Sequence, residues 1–249
     1  MWLQGSRRLS SNGRLWTAPT THYLLKSNPK MSVADSVPSR MPLEPKVTAV
    51  APLDTDQAKW IGLKQIHYTD QDGKKRVWES AERKTRGASG IDAVAILAIL
   101  RSKTNAFPLS TVVIEQYRPA IDKFVIELPA GLIDKGETAE QAAIRELEEE
   151  TGYKAEKVTE SSPIVFSDPG MSNANMKLVV ASVPMNDQLE MPDSKLDVGE
   201  HIVKRVIPLD KLNATLKVYD EKGYVVDARL AHLATGYDIA QRIGSGAFP

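Results

Sequence analysis

The segment from Gly131 to Tyr153 constrains this chain more than any other. Between Gly131 and Gly152 the sequence predicts one helix, over Thr138–Thr151. Thr138 with Gln141 three residues on is a capping-box pattern, and Gly152 is a natural C-terminal stop. At about 100° per residue, Glu146 and Glu150 share a face, with Glu149 beside them. Ala139, Ala142, Ala143 and Leu147 lie on that same side, while Glu140, Gln141 and Glu148 point away. The side that should pack inward therefore carries three carboxylates. Like charges at i,i+4 repel, and burial makes their ionisation costly. A divalent cation resolves both problems, because carboxylate oxygens are the ligands Mg²⁺ takes. Arg145, on the flank, can orient a carboxylate by paired hydrogen bonds. A solvated acidic face is the other reading, and the run of glutamates alone does not decide between them.

Composition narrows the metal chemistry. Cysteine is absent, which removes disulfides, thiolate zinc sites, thiol nucleophiles and iron–sulfur clusters. The four histidines, His22, His67, His201 and His232, are scattered. A metal must then be held mainly by oxygen, which points to Mg²⁺, Mn²⁺ or Ca²⁺. The 249 residues hold 32 basic and 32 acidic side chains, without the basic excess of a nucleic-acid binder. The longest apolar run, Ala93 to Leu100, is too short to span a bilayer and reads as a buried strand.

The zero net charge conceals an asymmetry. The first 34 residues carry Arg7, Arg8, Arg14, Lys26 and Lys30 and no acid, so the rest of the chain is acidic by five. Residues 1–45 read as an N-terminal extension whose basic, Ser-rich composition fits a mitochondrial transit peptide or a disordered basic tail. A start at Met31 or Met41 would give a shorter product without the address, cytoplasmic and nuclear in its place. Pro38, Pro42 and Pro45 mark a linker.

Residues 46–90 read as an N-terminal strand region. Lys64–Tyr68 and Arg76–Glu79 flank a hairpin turn over Thr69–Lys74. Residues 91–249 form the main domain, with strands over Ile91–Leu100, Ser110–Gln116 and Phe124–Leu128. Pro129-Ala130-Gly131 breaks the last of these. Further strands are expected at Lys157–Thr159, Ile164–Phe166, Asn175–Val183 and Ile202–Pro208, and helix at Leu209–Leu212 and Val226–Thr235. The fold class is α+β with a mixed sheet.

The fixed positions add a resemblance. Gly131, Glu137, Arg145-Glu146-Leu147, Glu149-Glu150 and Gly152-Tyr153 match all nine specified positions of the Nudix box, G-x5-E-x7-R-E-U-x-E-E-x-G-U. The chain resembles a Nudix hydrolase. Pro169 lies 16 residues beyond Tyr153, within Ser167-Asp168-Pro169-Gly170-Met171-Ser172-Asn173, and this spacing is similar to the ADP-ribose pyrophosphatase branch. Trp78-Glu79 with Arg83, Gln116–Pro119 and Glu127–Asp134 resemble its eukaryotic ADP-sugar members. The likeness covers roughly residues 46–235 and implies a mixed β-sheet sandwiched by helices, α/β/α, with a small N-terminal β-strand region.

The resemblance also implies roles. Glu146, Glu149 and Glu150 would bind Mg²⁺ or Mn²⁺, joined by the backbone of Ala130 and by Glu127. Arg83 and Arg118 would bind the diphosphate. Trp78 and Trp60 would sandwich adenine, with Trp60 supplied by the partner of a homodimer, and Glu79 would accept from the adenine amino group. Asp168 would join the substrate site. Glu200 stands where the branch carries a catalytic loop glutamate, with Glu149 and Arg145 in the same catalytic set. The implied reaction is Mg²⁺-dependent hydrolysis of ADP-ribose to AMP and ribose 5-phosphate. Hydrolysis of another nucleoside diphosphate derivative, and non-catalytic sensing of ADP-ribose, are the competing functions.

Overall fold

A computed structural model describes residues 45–248. The expectations for residues 1–44 lie outside the described residues. The chain opens with a hairpin, β1 (Ile61–Thr69) and β2 (Lys75–Arg83), which forms a two-stranded sheet of its own. Its turn is tied by Asp70, whose carboxylate accepts from the backbone N–H groups of Asp72 and Lys74.

The second sheet has nine strands. Its main path runs β11-β5-β4-β3-β9-β7, with β10 beside β4, β6 beside β3 and β8 beside β9. The central strands are β3 (Ala93–Ser102), β4 (Ser110–Arg118) and β9 (Asn175–Met185). Around them lie β5 (Lys123–Glu127), β6 (Ala130–Leu132), β7 (Lys157–Ser161), β8 (Val165–Phe166), β10 (Ile202–Pro208) and β11 (Val225–Val226). β3 pairs β9 in parallel, β11 pairs β5 in parallel, and the other pairs are antiparallel, so the sheet is mixed.

Alternation along β3 divides the core into two layers. Val94, Ile96, Ala98 and Leu100 pack with Ala139, Ala142, Ala143 and Leu147 of helix α1 (Ala139–Thr151). Leu97 and Ile99 face α2 (Leu212–Glu221) and α3 (Ala228–Gly244) on the other side. The result is the expected sheet between helices. Among the described residues no helix is long and apolar enough to cross a membrane.

Three local expectations change. Pro129 ends β5, but Ala130 and Gly131 do not stay in a loop. They re-enter the sheet as β6 and pair with Ala95 and Val94, while Ile96 N–H donates to the Pro129 carbonyl. Leu209–Lys211 is a single 3-10 turn leading into α2, which continues to Glu221 because Leu212, Thr215, Leu216 and Tyr219 form a buried helical stripe. α3 starts at Ala228, capped by the Asp227 carboxylate, and runs beyond Thr235 to Gly244.

Both ends of α1 are fixed locally. Thr138 and Gln141 make the reciprocal capping box, and Gly152 closes the helix at φ 75°. Gly152 also lies under a passing strand of backbone. A Cβ there would stand 2.2 Å from the Asp193 carbonyl oxygen. Gly152→Ala should therefore cost about 1–3 kcal/mol, from the left-handed backbone plus displacement of residues 192–193. Chemical denaturation checks this, and an unchanged midpoint would contradict it.

A buried clasp joins the hairpin end to the main sheet. Arg86 donates Nε–H to Asp92 Oδ1 at 2.8 Å and Nη2–H to Oδ2 at 2.7 Å. Asp92 is 4% exposed. Burial pushes its carboxyl pKa up, but the hydrogen bonds from Arg86 and Asn175 and the nearby charges of Arg86 and Arg83 hold it below the ordinary 3.8. Asp92→Asn should cost about 3 kcal/mol at neutral pH, because it breaks a buried ion pair. Below pH 3.8 the unfolded carboxyl holds a proton that the native one does not, so wild type loses this stabilisation as pH falls. The gap between the two proteins in urea unfolding should then narrow below pH 4 and stay constant above pH 5.

Candidate active site

α1 delivers its glutamates to the place where β6 joins β3. Glu150 is buried, and its Oε2 accepts from Ala130 N–H at 3.0 Å. Burial pushes its pKa up to about 8; the charges of Glu146 and Glu200 add to this, while Ala130 N–H and Arg118 oppose it. Burial also raises Glu146, against the pull of Arg145. Glu146 approaches so closely that a Cβ on Gly131 would fall 1.8 Å from its carboxyl carbon. The glycine leaves the room in which this carboxylate sits.

Arg145 organises the outer part of the group. It donates to Glu146 at 2.8 Å, to Glu149 at 3.0 Å and to the Leu132 carbonyl at 3.0 Å. Glu137 holds it from behind with hydrogen bonds of 3.0 and 2.9 Å, and also accepts from Asp134 N–H at 3.1 Å. Sequence reasoning gave Glu137 no role. Its signal was the fixed spacing of eight residues before Arg145.

The three carboxylates do not converge on a common centre as they stand. Among the described residues no group of three acidic or histidine side chains does so. Glu146 and Glu149 lean on Arg145 and Glu150 on Ala130 N–H. The donor chemistry nevertheless fits a hard divalent cation. The ligands are oxygens, two of them desolvated and raised in pKa, and Glu146 lies in a cradle that any side chain at residue 131 would fill.

The other expected residues lie in two groups. Arg118 and Glu127 sit next to the glutamates, but they bind each other: Arg118 donates Nε–H and Nη2–H to the two Glu127 oxygens at 2.7 and 2.8 Å. Glu200 lies on the exposed turn Asp197–Glu200, where its Oε2 accepts from Asp197 N–H at 3.1 Å. Its charge still reaches Glu146 and Glu150.

The second group is on β2. Trp78 is exposed, and its indole N–H donates to the Gly170 carbonyl at 3.1 Å. That contact places Asp168 and its loop beside Trp78. Glu79 and Arg83 point to the opposite face of the strand from Trp78. Trp60 lies far from Trp78 in the same chain. Trp78 is registered with Ile66, six residues from Trp60, which corresponds to about 20 Å. One chain by itself cannot place these two rings on either side of one base.

The family model described as NUDIX domain matches residues 91–228. An uncharacterized Nudix hydrolase of Schizosaccharomyces pombe is 44% identical over 194 residues, covering 78% of this chain and 93% of that protein. An ADP-ribose pyrophosphatase of Saccharomyces cerevisiae is 41% identical over 190 residues, covering 76% and 81%. An ADP-sugar pyrophosphatase of Mus musculus is 35% identical over 176 residues, covering 70% and 79%. A crystal structure of an ADP compounds hydrolase superposes with a TM-score of 0.51 at 20% identity, covering 84% of this chain and all of that one, and shares the fold.

Proposed function

Since this chain belongs to the Nudix hydrolase family, we propose that it hydrolyses the diphosphate of ADP-ribose and related ADP-sugars. Water adds across the P–O–P bridge, giving AMP and ribose 5-phosphate and releasing two protons near neutral pH, one for each phosphomonoester formed. The observation that carries this reading is the pairing of two glutamates of raised pKa with a flanking arginine and an aromatic strand. The yeast and mouse relatives named for ADP-ribose and ADP-sugars support the choice of substrate.

Glu146, Glu149 and Glu150 would hold Mg²⁺ or Mn²⁺, with the Ala130 carbonyl and Glu127 completing the set. The metal neutralises diphosphate charge and lowers the pKa of a bound water when present. The remaining work falls to the chain. Arg145 keeps Glu146 and Glu149 oriented. Arg118 binds a diphosphate oxygen as it turns from Glu127, and Arg83 binds another. Trp78 stacks on adenine and Asp168 holds the ribose side; Glu79, on the opposite face of β2, does not reach the base that Trp78 of the same chain stacks on. Glu200 takes the proton of the attacking water.

The test is hydrolysis of ADP-ribose with Mg²⁺ in heavy-oxygen water, with the label located in AMP or ribose phosphate. Binding without turnover, or preference for a different nucleoside diphosphate derivative, overturns the reading.

The same reading makes the enzyme a homodimer. The hairpin exposes Leu63, Ile66, Tyr68 and Val77 beside both tryptophans, and an isolated two-stranded sheet is marginal in water. A second copy would cover it and bring Trp60 to the partner's Trp78. A variant made monomeric through the hairpin should raise KM for ADP-ribose by more than about tenfold, as base stacking is worth on the order of 1–3 kcal/mol. Light scattering and kinetics check this together, and a fully active monomer would contradict it.

A further inference from the structure

The loop Ser167–Ala174 supplies the second edge of β2. It is closed at its base by Ser167 N–H donating to the Ala174 carbonyl at 3.0 Å. Its tip is turned by Met171 and Ser172 N–H groups donating to the Asp168 carbonyl at 3.1 and 2.8 Å. Its outer limb runs parallel to β2: Ala81 N–H donates to the Met171 carbonyl at 2.9 Å, and Asn173 N–H to the Ala81 carbonyl at 3.3 Å. The Trp78 indole N–H completes the contact at Gly170. The position of the Trp78 ring therefore depends on where this loop lies.

Those bonds are few. A further anchor is Arg86, half-buried just beyond β2 and seated on the buried Asp92. The Nη2 that donates to Asp92 also donates to the Asn173 carbonyl at 2.5 Å and to Asn173 Oδ1 at 3.2 Å. Asp92 is itself immobilised. Its carboxylate accepts from Asn175 N–H at 3.0 Å, its N–H donates to Asn175 Oδ1 at 2.8 Å, and Asn175 Nδ2–H donates to the Gly90 carbonyl at 2.9 Å. The Asp92 carbonyl accepts from Ile133 N–H at 3.2 Å, two residues beyond Gly131. One guanidinium thus links the segment that leads from β6 into α1 to the loop behind Trp78.

We propose that Arg86 is a positioning residue for base recognition: by clasping Asp92 and the Asn173 carbonyl together, it sets the 167–174 loop against β2 and so fixes the wall formed by Trp78 and Asp168. This rests on the reading of Trp78 and Asp168 as substrate residues. The planar fork suits the task. It holds both Asp92 oxygens and the Asn173 carbonyl at once from two nitrogens fixed in one plane, a geometry that the single nitrogen of lysine on its flexible stem does not reproduce. Asp92 keeps its Asn175 contacts without the fork, so the Ile133 side should stay in place when the Asn173 side is released.

Arg86→Lys tests this, since it keeps a cation beside Asp92. KM for ADP-ribose should rise about tenfold with kcat within about threefold of wild type. Hydrogen exchange of the Ala81 and Asn173 amides should quicken, while the α1 amides keep their protection. Unchanged KM and unchanged exchange would overturn the assignment. A proportional fall in kcat with faster exchange throughout the sheet would also overturn it, because that marks a purely structural role. If wild type shows no turnover of ADP-ribose, the proposed substrate fails, and the exchange measurement still decides the clasp on its own.

Discussion

Replacing Glu150 with Gln should lower kcat/KM for ADP-ribose by on the order of 10³ while leaving the fold intact. Metal-assisted charge stabilisation is worth several kcal/mol in such reactions, and each 1.4 kcal/mol is about tenfold. Gln keeps an oxygen that can accept from Ala130 N–H, so the contact that anchors this side chain to β6 survives. What disappears is the anion. The stability effect should run the other way. In the absence of divalent metal, burial holds the Glu150 pKa at about 8, against an ordinary 4.5. Between those values the native protein keeps a proton that the unfolded chain has released, so wild-type stability falls as pH rises through that window. The Gln variant lacks this slope. It should equal wild type near pH 4.5 and exceed it by at most a few kcal/mol near pH 8. Paired kinetics and urea unfolding check both halves. Full activity would remove Glu150 from the site, and a less stable variant at pH 8 would contradict the burial argument.

What the sequence makes legible here is what is local. α1 is readable because its start, stop and inward face are all encoded within 15 residues: Thr138 with Gln141, Gly152, and the alanines beside the glutamates. The hairpin is readable for the same reason, from Asp70–Gly73 between two alternating runs. Pro129 is read rightly as a stop, but its sequel is not, because re-entry beside β3 depends on a free edge 35 residues upstream. The site divides along the same line. The box gives Glu146, Glu149, Glu150 and Arg145. It does not give the pairing of Arg118 with Glu127, two residues read separately as a phosphate binder and a metal ligand. Nor does it give Arg86, Asp92 and Asn173, which are separated by up to 87 residues and meet only in the fold. The distance between Trp60 and Trp78 is likewise a matter of register, which composition does not report.

Gly131→Ala separates activity from stability without removing any charged group. The added methyl would lie 1.8 Å from the Glu146 carboxyl carbon and 1.9 Å from its Oε1. Those atoms are the far end of a flexible side chain, so the carboxylate can swing away with little disturbance of the backbone. The folding cost should stay under about 1 kcal/mol, offset in part by alanine's smaller loss of backbone entropy. Activity should fall on the order of 10²-fold, because Glu146 leaves its place beside Arg145. The contrast is Gly152→Ala, where the obstacle is the Asp193 backbone and stability bears the cost. A double-mutant cycle identifies the route. If Gly131 acts only by leaving room for Glu146, then Gly131→Ala should do almost nothing further in a Glu146→Gln background, and the two losses will not add. Additive losses would mean that the glycine serves the site some other way, and that the close approach of Glu146 to β6 is incidental to its chemistry.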